Sequence, residues 1–474
     1  MLSDYEPVIG LEVHVELKTD TKMFCACGTA FGAPPNTQCC PVCMGMPGAL
    51  PVLNKKVIEY AIKAGLVTNC RISGLLKLDR KNYFYPDMPK GYQISQYDSP
   101  LCENGRVDIE TPSGAKRIGI ARIHIEEDAG KLIHDDKLGT MIDFNRCGIP
   151  LIEIVSEPDM RSAAEAVAYL KKLRTLLRYA GISDCKMNEG SMRCDINLSV
   201  RKKGSQTLNT KTEIKNLNSF AFAGRAIEYE FKRQVEEIER GGTIAHETRR
   251  FDESSGETLP MRKKEHIDNY RCFPDPDLPP VAIDAGLVSR LKNEVPVLPD
   301  ERKQKYIKKY SLSPYDAELL TNEREVADWF ETAAERTRYP KILANLTISE
   351  ILKQIPEENG EIPIFANSAA VVCDLAGDGR VSTGTAKKLI KELSLHDFEP
   401  ETAVKERALW QINDEQELAN FVADAISENP KAVSDYKKGK KAAAKAIIGL
   451  AIAKSNGRGN PEIIQRLVVD ALKE

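Results

Sequence analysis

Hydrophobic and polar residues alternate strictly in several stretches of the first half of the chain. From Val8 to Leu17, Leu11, Val13, Val15 and Leu17 fall on one side, while Glu12, His14 and Glu16 fall on the other, the period-two signature of a β-strand with one buried face. The pattern returns in Ile118–Asp128, where Arg122, His124 and Glu126 oppose Ile123 and Ile125. In 151–157, Glu153 and Glu157 oppose Ile152 and Ile154, and in Met192–Val200, Arg193, Asp195, Asn197 and Ser199 oppose Cys194, Ile196, Leu198 and Val200. Lys211, Glu213 and Lys215 alternate again. Between these strands, Asn54–Val67, Arg161–Ala180 and Ser219–Arg240 carry apolar residues at helical spacing, the second and third closed by Gly181 and Gly241-Gly242, as helix C-termini favour. After Pro296 alternation stops and helical spacing takes over: Pro299 onward, Pro314–Phe330, Leu343–Ile355, 362–394 and 413–427. Strands with interleaved helices followed by helices alone predict an α+β fold with a boundary near residue 294.

The polar strand faces are chemically unusual. A wet sheet face is the ordinary reason for alternation, but here the outward residues are His, Glu, Asp, Arg and Asn, with few Thr or Ser. Residues 121–160 hold nine acids against four bases. Carboxylates converging on one sheet repel unless a cation lies among them, and an oxygen-rich site with one imidazole suits Mg²⁺ or Mn²⁺. The longest loop, Lys81–Gln96, carries Tyr83, Phe84, Tyr85, Lys90, Gln93 and Gln96. It reads equally as a ligand-facing loop and as a packed surface loop.

Length and composition narrow the class. The 474 residues amount to about three domains at about 150 residues each, and 42% hydrophobic with 29% charged residues is ordinary for a globular protein. No run of about 18 uncharged apolar residues is present, so no membrane span is expected. The start, MLSDYEPVIG, shows no secretory signal, and the expected setting is cytoplasmic. There the twelve cysteines do not form a disulfide framework. Cys25, Cys27, Cys40 and Cys43 form C-x-C and C-x-x-C pairs flanking a short loop, the spacing of a closed tetrahedral and therefore structural Zn²⁺ site. Cys39 is an alternative to Cys40, although the Cys40/Cys43 spacing is better. The scattered cysteines read as small buried hydrophobes. No G-x-x-x-x-G-K-[ST], G-x-G-x-x-G or G-x-S-x-G segment occurs, so a nucleotide would be held by the sheet face, and hydrolytic nucleophile chemistry is not indicated.

At Val8–Leu17, Tyr83–Gln96, Glu126-Glu-Asp-Ala-Gly-Lys131, Pro150–Asp159 and Glu213–Phe220, the sequence resembles the B subunit of the aspartyl/glutamyl-tRNA amidotransferases (GatB). The resemblance runs nearly the whole chain. Cys39 stands where the family more often has an apolar residue, and His266–Phe273 follows the family's acidic, aromatic-rich segment only loosely. The zinc cysteines occur in some members and not in others, which favours a structural metal.

The resemblance implies a mainly antiparallel, glutamine synthetase-like catalytic cradle over 1–293 with a zinc knuckle at 25–43. A helical domain over 294–405 and a YqeY-like tRNA-binding tail over 406–474 would follow. It implies ATP-dependent amidation of misacylated Glu-tRNA(Gln) or Asp-tRNA(Asn): the side-chain carboxylate is phosphorylated, then ammonia from a partner glutaminase displaces phosphate. The implied partners are an amidase-like A subunit, which is the glutaminase, and a small C subunit. Phosphoryl transfer depends on positioning and charge neutralisation, which suits an acidic sheet loaded with Mg²⁺ or Mn²⁺. Glu12, His14 and Glu126 are the first candidate ligands, with Glu127, Asp128, Glu153 and Asp195 as further candidates and Arg122, Arg193 and Lys211 as phosphate clamps.

The tail adds a second charge feature. Residues 429–474 hold ten bases against four acids, a net of +6, while the whole chain carries −3. Lys437, Lys438, Lys440 and Lys441 precede an Ala-rich helix, and Arg458 lies in the Gly457–Pro461 turn. Such a run is commonly a solvated face, yet it also suits sequence-independent phosphate contact. Two other readings stand beside the tRNA-dependent enzyme: an amide ligase acting on a free small acid, and a non-catalytic tRNA-binding scaffold.

Overall fold

The computed structural model describes residues 2–135, 137–263, 270–356 and 360–473; of the segment 266–273, residues 266–269 lie outside the described residues. The chain divides into two compact units, Met1–Leu298 and Pro299–Glu474.

The first unit is organised by a nine-stranded sheet. Its strands are β1 (Tyr5–Glu16), β2 (Arg71–Ile72), β3 (Cys102–Thr111), β4 (Gly114–Glu127), β5 (Pro150–Ser156), β6 (Met192–Lys202), β7 (Thr212–Lys215), β8 (Glu247–Asp252) and β9 (Glu257–Lys263). They lie in the order β9-β8-β7-β6-β1-β5-β4-β3-β2. Every pairing is antiparallel except that of β7 with β8. The central strand is thus β1, with β6 on one side and β5 on the other.

The apolar half of each alternating stretch is buried: Leu11, Val13, Val15, Ile123, Ile125, Ile152, Ile154, Ile196 and Leu198 share one core with residues of helices α1 (Lys55–Val67), α2 (Ala163–Tyr179) and α3 (Phe220–Glu239). Because these helices take up the apolar face, the charged residues of the same strands are left together on the other. The helices start where the sequence provides caps: Asn54, Ser162 and Ser219 each accept a first-turn amide hydrogen bond, and Gly181 and Gly241 follow α2 and α3 at φ +69° and +82°.

Strands β2, β3, β8 and β9 escape the sequence pattern, as does the hairpin Lys131–Asp135/Gly139–Asp143. In β3 the alternation is real, with Val107 and Ile109 buried between Arg106, Asp108 and Glu110, but two apolar positions are too few to stand out. The two ends of the loop Lys81–Gln96 fall in the strands Asp79–Asn82 and Tyr92–Ser95 of a three-stranded sheet with Arg271–Pro274.

The second unit is helical. Tyr306, Phe330, Leu343, Val372 and Leu389 lie in one core, and Leu418, Val422, Ile447, Ala451, Ile464 and Val468 lie in another. The single helix expected over 314–330 is two, Pro314–Thr321 and Arg324–Ala334. Thr321 turns its hydroxyl back to the Ala317 carbonyl and Glu323 adopts extended backbone, which ends one helix and opens the next. Likewise 343–355 is an α-helix to Ser349 followed by a 3₁₀ turn at Ile351–Gln354. No helix among the described residues is long and apolar enough to cross a membrane.

Candidate functional site: two acidic clusters on one sheet face

Register decides which polar residues meet. Arg193 of β6, His14 of β1, Glu153 of β5 and His124 of β4 are successive cross-strand partners, a row of four charged or titratable side chains running across the sheet. One step along, Glu126 sits opposite Leu151, next to Glu153. In the other direction Asp195 pairs with Glu12 and Asn197 with Glu213.

The first cluster gathers two imidazoles and two carboxylates. His14 Nε2 lies 3.6 Å from Glu126 Oε1 and 3.5 Å from Glu153 Oε2. His124 Nε2 lies 3.3 Å from the same Glu153 oxygen and 3.7 Å from Glu126 Oε2. Burial works against a charged His124, but its contacts with Glu126 and Glu153 prevail and push it up to about 9. His14 shifts the same way: burial opposes its charge, but Glu153, Glu126 and Asp195 together raise it. Glu153, though buried, is held well below the usual carboxylate range by His124 and His14. Donor atoms of His14, Glu126 and Glu153 all fall within 4.8 Å of one another.

The second cluster is Glu12, Asp195 and Glu213, again within 4.8 Å. Asn197 Nδ2 donates to Glu12 Oε1 at 2.8 Å. Lys215 reaches Asp195 and lies 3.3 Å from Glu213 Oε1.

Both donor sets fit a hard divalent cation. Octahedral Mg²⁺ at about 2.1 Å from each donor separates neighbouring donors by about 3 Å. The separations of 3.3–3.7 Å in the first cluster are slightly more open than that and long for good hydrogen bonds. Glu12, His14, Glu126, Glu153 and Asp195 are therefore brought together as the alternation implied. His124, Glu213 and Lys215 join them. Alternation puts all three on this face without marking them as site residues, and only the strand register shows that they reach the clusters.

Other candidates are placed differently. Asp128 is engaged by Arg193, whose Nη1 is 3.3 Å from Oδ1, and by Arg146 at 3.5 Å, so a candidate ligand and a candidate clamp pair with each other beside the first cluster. Glu16 lies there too; burial, then the Asp128 charge, push it up to about 8. Glu127 follows Glu126 in an extended strand and so faces the opposite side. It is buried, paired with Lys90 and hydrogen-bonded by the Ile94 amide at 2.8 Å. Arg122 stays on the cluster face, in line with Glu12 across Val155, with its Nε buried and without a hydrogen-bond partner. Lys211 is exposed just ahead of β7.

The loop residues divide in the same manner. Gln93 donates to the Glu127 carbonyl at 2.8 Å. Gln96 donates to the carbonyls of Lys77 and Ser99 and accepts from the amides of Leu101 and Ile125, so its amide is fully used in holding the fold. Tyr83 packs against Tyr270 with ring centroids 5.7 Å apart and planes tilted by 54°, whereas Phe84 and Tyr85 project to solvent.

The thiols of Cys25, Cys27, Cys40 and Cys43 also converge within 4.8 Å. The Cys40 amide donates to Cys43 Sγ at 3.1 Å and Lys22 Nζ lies 3.7 Å from it. The Cys43 thiol is drawn down to about 4, chiefly by the Cys25 thiol, with the Cys40 amide and Lys22 assisting against burial. Cys39 is not in the group; its sulfur lies 3.3 Å from the Asn36 carbonyl. Four thiols with an amide and an ammonium directed at one of them suit a Zn²⁺-thiolate centre. Of the scattered cysteines, Cys102, Cys147, Cys185, Cys194 and Cys373 are buried and Cys70 and Cys272 half-buried.

In the second unit, Lys437, Lys438, Lys440 and Lys441 are exposed around Gly439, between the helix Pro430–Lys437 and the 3₁₀ turn Lys441–Ala443. Gly439 sits at φ +94° with open space around it, which makes the turn that fans the lysines outward. Arg458 is committed internally, donating to the Ala408 carbonyl at 2.8 Å.

With this geometry in place, comparison with known proteins is informative. Residues 7–289 match the family described as the GatB/GatE catalytic domain and residues 328–472 the GatB domain. The B subunit of the aspartyl/glutamyl-tRNA(Asn/Gln) amidotransferase from Caldicellulosiruptor saccharolyticus is 51% identical over 478 aligned residues, covering 99% of this chain and 100% of the relative. Identically named proteins from Carboxydothermus hydrogenoformans and Thermodesulfovibrio yellowstonii are 51% and 46% identical, with coverage of 99% of this chain in each case and 99% and 100% of the relatives.

Proposed function

The chain belongs to the GatB family, the B subunits of aspartyl/glutamyl-tRNA(Asn/Gln) amidotransferases, and from that premise we propose that its charged sheet face is a glutamine synthetase-like cradle for ATP-dependent phosphorylation of the tRNA-linked side-chain carboxylate. The protein is one component of an amidotransferase, built from several subunits, that acts on Asp/Glu-tRNA. The observation that carries the mechanism is the pair of neighbouring clusters, His14/Glu126/Glu153 and Glu12/Asp195/Glu213, on one face of one sheet.

A carboxylate cannot be amidated directly, because an oxide is a poor leaving group. In the proposed sequence a side-chain oxygen attacks the γ-phosphorus of ATP and the bond to the ADP oxygen breaks. Ammonia then attacks the acyl carbon, phosphate leaves with its bonding pair, and one proton is lost to give the amide. Mg²⁺ or Mn²⁺ held by His14, Glu126 and Glu153, and by Glu12, Asp195 and Glu213, supplies neutralisation of phosphate charge.

The chain's own residues do the positioning. His124 orients Glu126 and Glu153 from the far side of the first cluster, Asn197 fixes one oxygen of Glu12, and Lys215 balances Asp195 and Glu213. Arg193 and Arg122 flank the clusters with guanidinium groups that carry permanent positive charge and suit phosphate oxygens. Lys90, Glu127, Gln93 and Gln96 hold the wall behind. The four-thiol group binds Zn²⁺ in a closed shell and therefore has a structural role. Residues 406–474 serve as the tRNA handle, with Lys437, Lys438, Lys440 and Lys441 on phosphates, and 294–405 connect it to the cradle domain of 1–293. An amidase-like A subunit, the glutaminase, delivers ammonia, and a small C subunit completes the enzyme.

The test is ATP consumption by the assembled enzyme with and without misacylated tRNA, ammonium being the nitrogen donor. ADP formation that requires the charged tRNA and disappears in Glu12→Gln supports the reading; equal hydrolysis without charged tRNA overturns it.

A further inference from the structure

Glu213 lies on β7, which pairs antiparallel with β6 on one side and parallel with β8 on the other. Its partner across the one parallel pairing is Thr248 of β8, which is buried and donates Oγ1–H to Glu213 Oε2 at 2.8 Å. The other oxygen, Oε1, faces Lys215 at 3.3 Å. One carboxylate oxygen is thus engaged by a neutral hydroxyl and the other is turned toward the charged cluster.

Two features explain why Thr248 can hold that aim. The pairing of β8 with β9 is irregular here: Thr248 pairs with Arg262 and Arg249 with Pro260, so the extra residue, Met261, lies on β9, and such a bulge increases the local twist of the ladder beside a functional site. Immediately after the bulge, Arg249 is locked into a buried network. It donates to Glu247 Oε1 at 2.5 Å, to the Thr258 carbonyl at 2.6 Å and to Thr258 Oγ1 at 3.0 Å, and Thr258 in turn donates to Glu230 of α3 at 2.7 Å. Glu230 is fully buried and receives two hydrogen bonds from Arg233. The backbone that carries Thr248 is fixed from α3 on one side of the sheet while its hydroxyl works on the other.

We infer that Thr248 is the positioning residue for Glu213, fixing which carboxylate oxygen is offered to a divalent cation shared with Glu12 and Asp195. This rests on the reading of the second cluster given above. Groups that orient a metal ligand in this way contribute about 10- to 100-fold to metal affinity. A threonine suits the task because its hydroxyl donates without adding charge, and its methyl group keeps β propensity in the strand.

The test is Mn²⁺ titration of the purified assembled enzyme, followed by electron paramagnetic resonance of the free ion. Turnover with ammonium is measured alongside at varied Mn²⁺. Thr248→Val, close in shape but without the hydroxyl, is expected to weaken Mn²⁺ binding at one site about 10- to 100-fold, raising the Mn²⁺ required for half-maximal turnover. Thr248→Ser restores the hydroxyl and is expected to bind within about threefold of wild type, a smaller change than loss of an orienting group produces. Wild-type Mn²⁺ affinity in Thr248→Val overturns the inference, as does equal loss in Thr248→Ser. Glu12→Gln and Glu213→Gln separate the two readings: if they leave Mn²⁺ binding untouched, the cluster itself is misread, whereas loss there with none in Thr248→Val removes only Thr248.

Discussion

His14 and Glu153 face each other across the pairing of β1 and β5, with Nε2 3.5 Å from Oε2. They lie far apart in sequence, and the sheet register alone brings them together. If they share a cation, either change should be severe. His14→Ala and Glu153→Gln are each expected to raise the Mg²⁺ concentration for half-maximal amidation by about 100-fold or more, since even outer-shell partners contribute about 10- to 100-fold. Turnover at saturating tRNA across a Mg²⁺ series checks this, and an unchanged Mg²⁺ requirement contradicts it.

The thiol group and the 131–143 hairpin are mechanically joined. The Asn36 side chain donates to the Ile142 carbonyl and accepts from the Phe144 amide, while its own amide donates to Asp143, at 3.0, 2.8 and 3.0 Å. Cys40→Ser is expected to lower bound zinc, whereas Cys39→Ser keeps it. Metal analysis reads both effects. Amide hydrogen exchange reads the mechanical link, with faster exchange across 131–143 expected when zinc is lost. Equal zinc loss in both variants contradicts the assignment of Cys40.

Lys90 and Glu127 form a buried ion pair beneath the site. Burial disfavours the charge on Lys90, yet the Glu127 carboxylate raises it above the ordinary lysine range. Lys90→Met strands a buried carboxylate and is expected to destabilise the chain by about 3–5 kcal/mol. Chemical denaturation measures it, and a loss below about 1 kcal/mol, the range of an exposed pair, contradicts a structural role for the pair.

Much of this arrangement is readable from period two alone. Glu12, His14, Glu126, Glu153 and Asp195 share a face because each alternates with core residues such as Val13, Ile125, Ile154 and Cys194. The same parity includes His124 and Glu213, and it separates Glu127 from Glu126, a consequence easily passed over when adjacent acids are taken as one group. Register is what the sequence hides. That His124 meets Glu153, or that Glu213 meets Thr248, depends on pairings between segments far apart in the chain. Gln96 illustrates the limit for loops: a polar side chain beside aromatics resembles a ligand contact, but here four backbone groups consume it. The thiol group is legible because both cysteine pairs are local in sequence.

In the tail, Lys437, Lys438, Lys440 and Lys441 surround a Gly439 turn, while Arg458 serves the fold. Replacing the four lysines by alanine is expected to raise the KM for tRNA about tenfold or more at low salt, with a smaller effect at high salt, because phosphate contacts act through counterion release. The kcat should hold. Steady-state kinetics across a salt series measure this, and a salt-independent loss of kcat contradicts the tRNA-handle reading.

Phosphorylation of the tRNA-linked carboxylate on this face is read out by charging tRNA with glutamate labelled with oxygen-18 in the side-chain carboxylate and running one round of amidation with ATP and ammonium. Mass analysis of the inorganic phosphate is predicted to find one labelled oxygen per amide formed, because the carboxyl oxygen departs on phosphate. Amide formation with unlabelled phosphate would contradict the account.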